Sequence, residues 1–128
     1  MSEKIKYEIE RIIKTSPKIL YNMLSTPSGL SEWFADDVNI KNDIYTFIWE
    51  GSEEDARLLS KKSPEYVKFQ WVDDEDTDAY FEFRIKIDAM TNEVALIITD
   101  HADDDDEVEE GRNLWESQSS ELKHVLGG

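Results

Sequence analysis

The apolar positions of this chain divide it into a β-rich middle part with helical segments before and after it. Apolar and polar residues alternate imperfectly in residues 5–13 and without a fault in residues 79–88, which is the period of a strand with one buried face. Turn residues separate the other β-favouring runs. These further strands are predicted at residues 38–40, 44–49, 56–59, 66–72 and 94–99.

Two short helices are predicted between the first strand and the second. Ser16 followed by Pro17 is typical of a helix start, because Ser caps the first turn and Pro has no N–H to leave unpaired there. Apolar residues then follow at helical spacing until Pro27 ends the helix. Residues 28–34 predict a second helix, with Leu30 and the adjacent pair Trp33-Phe34 on one side.

A longer amphipathic helix of three to four turns is predicted from Glu110 to Leu126. Two acidic runs, residues 73–78 and 103–110, are expected to be solvated loops, because like charges favour a mobile, hydrated segment. Strands grouped in the middle with helices at the ends indicate one α+β domain over residues 1–128. In it, a curved antiparallel sheet of about six to seven strands wraps around the C-terminal helix. The predicted apolar face of that helix consists of Leu114, Trp115, Leu122, Val125 and Leu126, with Gln118 among them.

Charge and composition narrow the classes of partner. The 128 residues include 30 acidic and 14 basic ones, so the net charge is −16. This excess opposes binding to nucleic acid and to anionic membranes, both of which depend on Lys and Arg. The absence of cysteine excludes disulfides, thiolate zinc sites and thiol catalysis. No apolar run approaches a membrane span, and residues 1–4 begin no apolar signal segment, so a cytoplasmic protein is expected.

Several pieces of the sequence mark the order of these elements: Ser16-Pro17, Leu24–Pro27, Leu30 with Trp33-Phe34, Phe47–Gly51, Phe69–Trp71, and Trp115 with Leu122. Together with that order, they resemble the START-like (SRPBCC) helix-grip superfamily. Within it, the chain resembles bacterial START-like proteins similar to the activator of the heat-shock protein 90 ATPase. Such relatives commonly carry Gly before the Trp of the last helix, where this chain has Leu114, and this departure weakens the expectation of close helix-to-sheet contact there.

The resemblance implies a cavity between the concave sheet and the last helix. A small apolar or amphipathic ligand would be bound there without catalysis, and Gln118 would orient it. The alternative is that these aromatic side chains simply fill the core, as aromatic residues at strand and helix periodicity usually do. The residues expected to line the cavity are Trp33, Phe34, Phe47, Trp49, Phe69, Trp71, Phe83, Trp115 and Gln118.

Two other functions stay open at this point. One is a protein-interaction module with a chaperone or another protein as partner, steered by the acidic surface. The other is a cyclase- or hydrolase-like enzyme using His101, which follows Asp100 and would act in acid–base chemistry. Neighbouring strand residues face opposite ways, so no catalytic residue is assigned. The acidic residues 103–106 invite a calcium site, but Val108 breaks the EF-hand pattern. No metal or cofactor is therefore expected.

Overall fold

A computed structural model describes residues 4–127 as a seven-stranded antiparallel sheet curved around a C-terminal helix. The strand order is β1-β7-β6-β5-β4-β3-β2, so β1 and β2 form the two edges. This architecture confirms the predicted α+β helix-grip fold. The elements are β1 Ile5–Ile12, α1 Pro17–Ser25, α2 Pro27–Trp33, β2 Asp37–Lys41, β3 Ile44–Trp49, β4 Ser52–Lys62, β5 Tyr66–Trp71, β6 Phe81–Ile87, β7 Val94–Ala102 and α3 Asp105–Val125, with a short 3-10 turn at Val72–Asp74.

Both short helices begin with the same local chemistry. The Ser16 hydroxyl accepts a hydrogen bond from the backbone N–H of Ile19 at 3.2 Å, as predicted. The Thr26 hydroxyl likewise accepts from the N–H of Gly29 at 3.0 Å, which caps α2. Pro27 therefore does more than end the first helix. It occupies the first position of α2, so that helix begins one residue earlier than predicted.

The start of α3 was predicted wrongly. The helix begins at Asp105, so most of the second acidic run is helical and only its first residues precede the helix. The Asp104 carboxylate accepts from the N–H of Glu107 at 2.9 Å and caps the helix. Acidic side chains in the first turn are stabilised by the positive end of the helix dipole. The helix therefore has 21 residues, or about six turns.

The core lies between the concave face of the sheet and the three helices. α1 contacts β5 and β6, whereas α3 contacts α2, β1 and β7. The alternation in the strands places aromatic and branched side chains on this face, and they are almost fully buried. The fully buried side chains of the strands include Phe47, Val67, Phe69, Phe81, Phe83, Leu96 and Ile98; Leu20, Leu24, Leu30 and Leu122 complete them from the helices.

Helix α3 lies tightly against Tyr7 of β1 at Gly111. A Cβ atom built there would overlap the Tyr7 hydroxyl oxygen and lie 2.9 Å from Tyr7 Cζ. Leu114 is 59% exposed, and the prediction that it belongs to the buried face was wrong. The side chains of Trp115, Ser119 and Leu122 form that face. Close contact between α3 and β1 therefore occurs at Gly111, about one turn before position 114.

Gly111→Ala should destabilise the protein, although Ala favours a helix over Gly by up to about 1 kcal/mol. Overpacking against the buried Tyr7 ring costs about 1–3 kcal/mol, so a net loss of about 1 kcal/mol is expected. Urea denaturation measures the free energy of unfolding. Asn113→Ala is the matched control, because this neighbouring side chain is exposed. A Gly111→Ala protein as stable as the control would show that the contact with Tyr7 is not tight.

Candidate functional site

The centre of the interior is the Phe34 ring, which follows α2 directly. Its ring stacks on Trp115 of α3 with the planes only 6° apart and the centroids 5.6 Å apart. On the sheet side it meets Phe47 edge to face at 4.9 Å. Edge-to-face and offset arrangements of this kind are the favoured geometries of aromatic pairs. Phe34 contacts six aromatic rings in all: Trp33, Phe47, Trp49, Phe81, Phe83 and Trp115.

Polar groups of the predicted site hold the backbone at Phe34 in place. The Trp49 indole N–H donates to the Phe34 carbonyl oxygen at 2.7 Å, and the Gln118 amide donates to the same oxygen at 3.1 Å. One carbonyl thus joins the end of α2 to both β3 and α3. Gln118, expected to orient a ligand, is bonded to the protein itself. Trp33 donates from its indole N–H to the Met23 carbonyl at 2.8 Å, which joins α2 to α1.

The structure brings all nine predicted site residues to the interior side of the sheet. Six of the eight aromatic side chains are buried, whereas Trp49, Trp71 and Gln118 are partly exposed. The buried rings contact one another, so they form the core of the domain in this structure. That they also line a ligand site stays a prediction. The prediction missed Phe81, which packs against Phe34, Phe69 and Trp71, although it shares the strand face of Phe83.

An open groove of about 360 Å³ lies where the aromatic cluster reaches the surface. We call it the Trp49–Trp71 groove; it is lined by Trp49, Glu54, Trp71, Asp73 and Asp74. Glu54 is paired with Phe47 across β3 and β4, so it belongs to the concave face although it is charged. The sequence carried this signal: Glu54 lies in the same strand phase as the buried Ala56.

A second groove, of about 520 Å³, runs along the C-terminal half of α3. Apart from Gly127, its lining residues are charged or polar, and none of them is Trp, Tyr or Phe. The groove therefore lacks the indole rings that the Trp49–Trp71 groove presents to a ligand. Its lining residues are Arg11, Ser120, Lys123, His124 and Gly127.

Asp100 is a largely buried carboxyl group between the sheet and α3. It accepts hydrogen bonds from the Trp115 indole N–H at 2.9 Å and from the backbone N–H of His101 at 2.8 Å. The Tyr7 hydroxyl lies 3.4 Å away. Burial raises the pKa of Asp100 above its ordinary value, and burial also raises the pKa of Tyr7 to about 12. Asp100, Tyr7 and Trp115 therefore link β7, β1 and α3 through a small group of hydrogen bonds inside an otherwise apolar interface.

His101 lies inside β7, and its side chain points away from Asp100. Its Nδ1 atom is 2.9 Å from the Tyr80 carbonyl oxygen, and the two rings pack edge to face with centroids 4.6 Å apart. The Asp100 carboxylate faces Trp115 on the other side of the sheet. The two side chains consequently form no acid–base pair of the kind that the enzyme hypothesis requires.

The described part of the chain, residues 4–127, contains no group of three or more His, Asp or Glu side chains arranged to hold a metal ion. None of its helices combines the length and the apolar character needed to cross a membrane.

Comparison with known proteins identifies what the chain is similar to. A family model described as "START-like superfamily domain" matches residues 1–128. The solution structure of BfR322 from Bacteroides fragilis is 34% identical, with 98% of this chain and 93% of that chain covered and a TM-score of 0.68. No curated protein sequence matched the chain significantly.

Two more distant structures share the fold alone. The Aha1 dimer from Colwellia psychrerythraea is 19% identical over 95% of this chain and 96% of that chain, with a TM-score of 0.77. Protein MLL2253 from Mesorhizobium loti is 14% identical over 96% and 97%, with a TM-score of 0.80. In both cases the similarity covers nearly the whole of each chain.

The raised pKa of Asp100 predicts how stability depends on pH. Between the ordinary Asp value of 3.8 and the raised value, the folded chain holds a proton that the unfolded chain has released. This group's contribution to the free energy of unfolding therefore falls as the pH rises through that interval. Urea denaturation of the wild type and Asp100→Asn at a series of pH values should show the wild type losing stability relative to the variant.

Asp78→Asn removes an exposed carboxylate and controls for the change in net charge. If the free energy of unfolding of the wild type rises relative to that of Asp100→Asn over the same pH interval, the raised pKa of Asp100 is contradicted.

Proposed function

The chain belongs to the START-like superfamily, and from that premise we propose that it binds a small apolar or amphipathic molecule without catalysing a reaction. The site would lie between the concave face of the sheet and α3. The observation that carries this proposal is the way the aromatic cluster reaches the surface: Trp49 and Trp71 are half-exposed at its edge and open onto a groove. A volume of about 360 Å³ lies at the small end of the range for ligand pockets.

The driving force would be burial of apolar surface, which contributes about 25 cal/mol for each Å² removed from water. Because the rings behind the groove contact one another, a ligand can go deeper only if Phe34 moves. Phe34 lies at the junction of α2 and the strand that follows, and two hydrogen bonds from Trp49 and Gln118 hold its carbonyl. We infer that release of these bonds opens the interior. The proposed lining is then Trp33, Phe34, Phe47, Trp49, Phe69, Trp71, Phe83, Trp115 and Gln118.

A second candidate function is a module that binds a basic protein surface, such as that of a chaperone. The net charge of −16 favours it, because complementary charge steers association with a basic partner. The likeness to the Aha1 dimer supplies the fold alone. Binding of a partner that weakens steeply with added salt and leaves Trp49 and Trp71 unaffected would support this candidate over the first.

Native mass spectrometry of the protein purified from its own cells tests the proposed function. A retained small apolar molecule is expected, and oleate, decanol and an anthraquinone serve as added probes if the protein emerges empty. An empty protein that binds none of these probes would contradict the proposal.

Substitution of Trp71 locates the binding site. Trp71→Ala should weaken binding of the probe about tenfold, which corresponds to about 1.4 kcal/mol, because an indole face at the opening is lost. Tyr66→Ala is the matched control: Tyr66 lies on the same strand but faces the other side of the sheet, where Arg84 covers its ring at 4.6 Å. Isothermal titration calorimetry measures both affinities. Equal losses in the two variants would place the ligand elsewhere.

A further inference from the structure

We propose that the Trp49–Trp71 groove binds an alkylammonium group, so that the preferred ligand is an amphiphile with a cationic head. This rests on the proposed function for the apolar part of the ligand, whereas the head-group site is argued from the groove alone. Two features of the groove support this inference. Two indole rings lie next to each other there, and the three carboxylates beside them make no hydrogen bond or ion pair within residues 4–127.

The two indoles form an angled pair at the edge of the cluster. Their ring centroids are 6.3 Å apart and their planes are inclined by 55°. Trp is the aromatic side chain that attracts cations most strongly, at distances within about 6 Å of the ring centre. The indole N–H of Trp49 is turned inward to the Phe34 carbonyl. Both indoles line the groove, so a compact cation there would lie beside two Trp rings.

Three carboxylates surround these rings. Asp73 and Asp74 lie in the 3-10 turn that follows Trp71, and Glu54 reaches the groove from the concave face of β4. Within residues 4–127, none of the three side chains makes a hydrogen bond or an ion pair to another residue. The charge of Asp74 helps to raise the pKa of Lys4, but the Lys4 ammonium group is bonded to Asp103 at 2.7 Å. The carboxylates at the groove are thus available to a cation from outside.

The loop that carries the two Asp residues is held in place. The Gln70 amide donates to the Ala79 carbonyl at 2.8 Å and to the Thr77 carbonyl at 3.2 Å, which closes the segment between β5 and β6. A solvated acidic loop does not require hydrogen bonds of this kind to fix its conformation. Here the charges lie beside two large aromatic rings, on a short turn that is fixed at both ends, and preorganised groups lose less entropy when a ligand binds.

Amphiphiles with the same tail and different heads test the head-group site. We expect decyltrimethylammonium to bind at least tenfold more tightly than decanol, and decyl sulfate to bind more weakly than decanol, in calorimetric titrations below the micelle concentrations. The triple variant E54Q/D73N/D74N should abolish the advantage of the ammonium head and leave the affinity for decanol unchanged.

A protein with a charge of −16 attracts any cation, so the control must change the charge equally. E10Q/E32Q/E121Q removes three exposed carboxylates that do not line the groove. This control variant should keep at least most of the preference for the ammonium head. If both triple variants lose it to the same degree, the preference is general electrostatics and the inference is wrong.

The remaining outcomes separate the inference from the proposed function. Equal binding of the three decyl compounds would overturn the cationic head while the proposed function stands. Binding of tetramethylammonium alone, with no tailed compound bound, would retain the cation site and contradict the proposed function. A lysine-rich peptide that binds in a Trp71-dependent manner while no alkylammonium binds would overturn the inference in favour of a basic protein segment. Absence of all binding would overturn both.

Discussion

The packing of Phe34 between the sheet and α3 is the contact on which the rest of the structure depends. Its ring fills the space between Trp115 and the aromatic face of the sheet, while its carbonyl accepts hydrogen bonds from two other elements. A side chain at the end of a short helix therefore fixes the position of α2, β3 and α3 together. Because protein interiors are packed as densely as organic crystals, a movement at this point has to be transmitted to all three.

The packing of Phe34 also bears on two interpretations of the aromatic residues, as the core of the domain and as the lining of a ligand site. They form the core, since most of them are buried and touch one another, and the cluster also reaches the surface at Trp49 and Trp71. A core that ends in two half-exposed indoles beside carboxylates leaves apolar surface in contact with water. A Trp side chain combines a large apolar ring with a polar N–H, and these two rings are what the proposed ligand would contact.

The sequence was sufficient for the fold because local signals agreed with each other. Ser16-Pro17 began a helix, residues 79–88 alternated without a fault, and the segments followed in the order of an α+β domain. The start of α3 was missed because a run of acids was interpreted as a loop, although the same acids stabilise the N-terminus of a helix.

Contacts between distant segments could not be predicted from one sequence. Gly111 matters because Tyr7 from β1 lies against it, and Asp100 is buried because Trp115 and Tyr7 cover it. The inward face of Glu54 follows from its spacing to the buried Ala56, but its position beside two tryptophans depends on its register with Phe47. Each of these depends on pairing across the sheet or between the sheet and α3, which local periodicity does not encode.

The four indole N–H groups provide the most direct test of whether a ligand occupies the Trp49–Trp71 end of the cluster. Trp33, Trp49 and Trp115 donate to Met23, Phe34 and Asp100, whereas the indole N–H of Trp71 has no partner within residues 4–127. During titration with decanol, proton–nitrogen NMR spectra should show the Trp71 and Trp49 signals shifting most and the Trp33 signal shifting least. Unchanged Trp71 and Trp49 signals, with a probe that binds, would contradict the account.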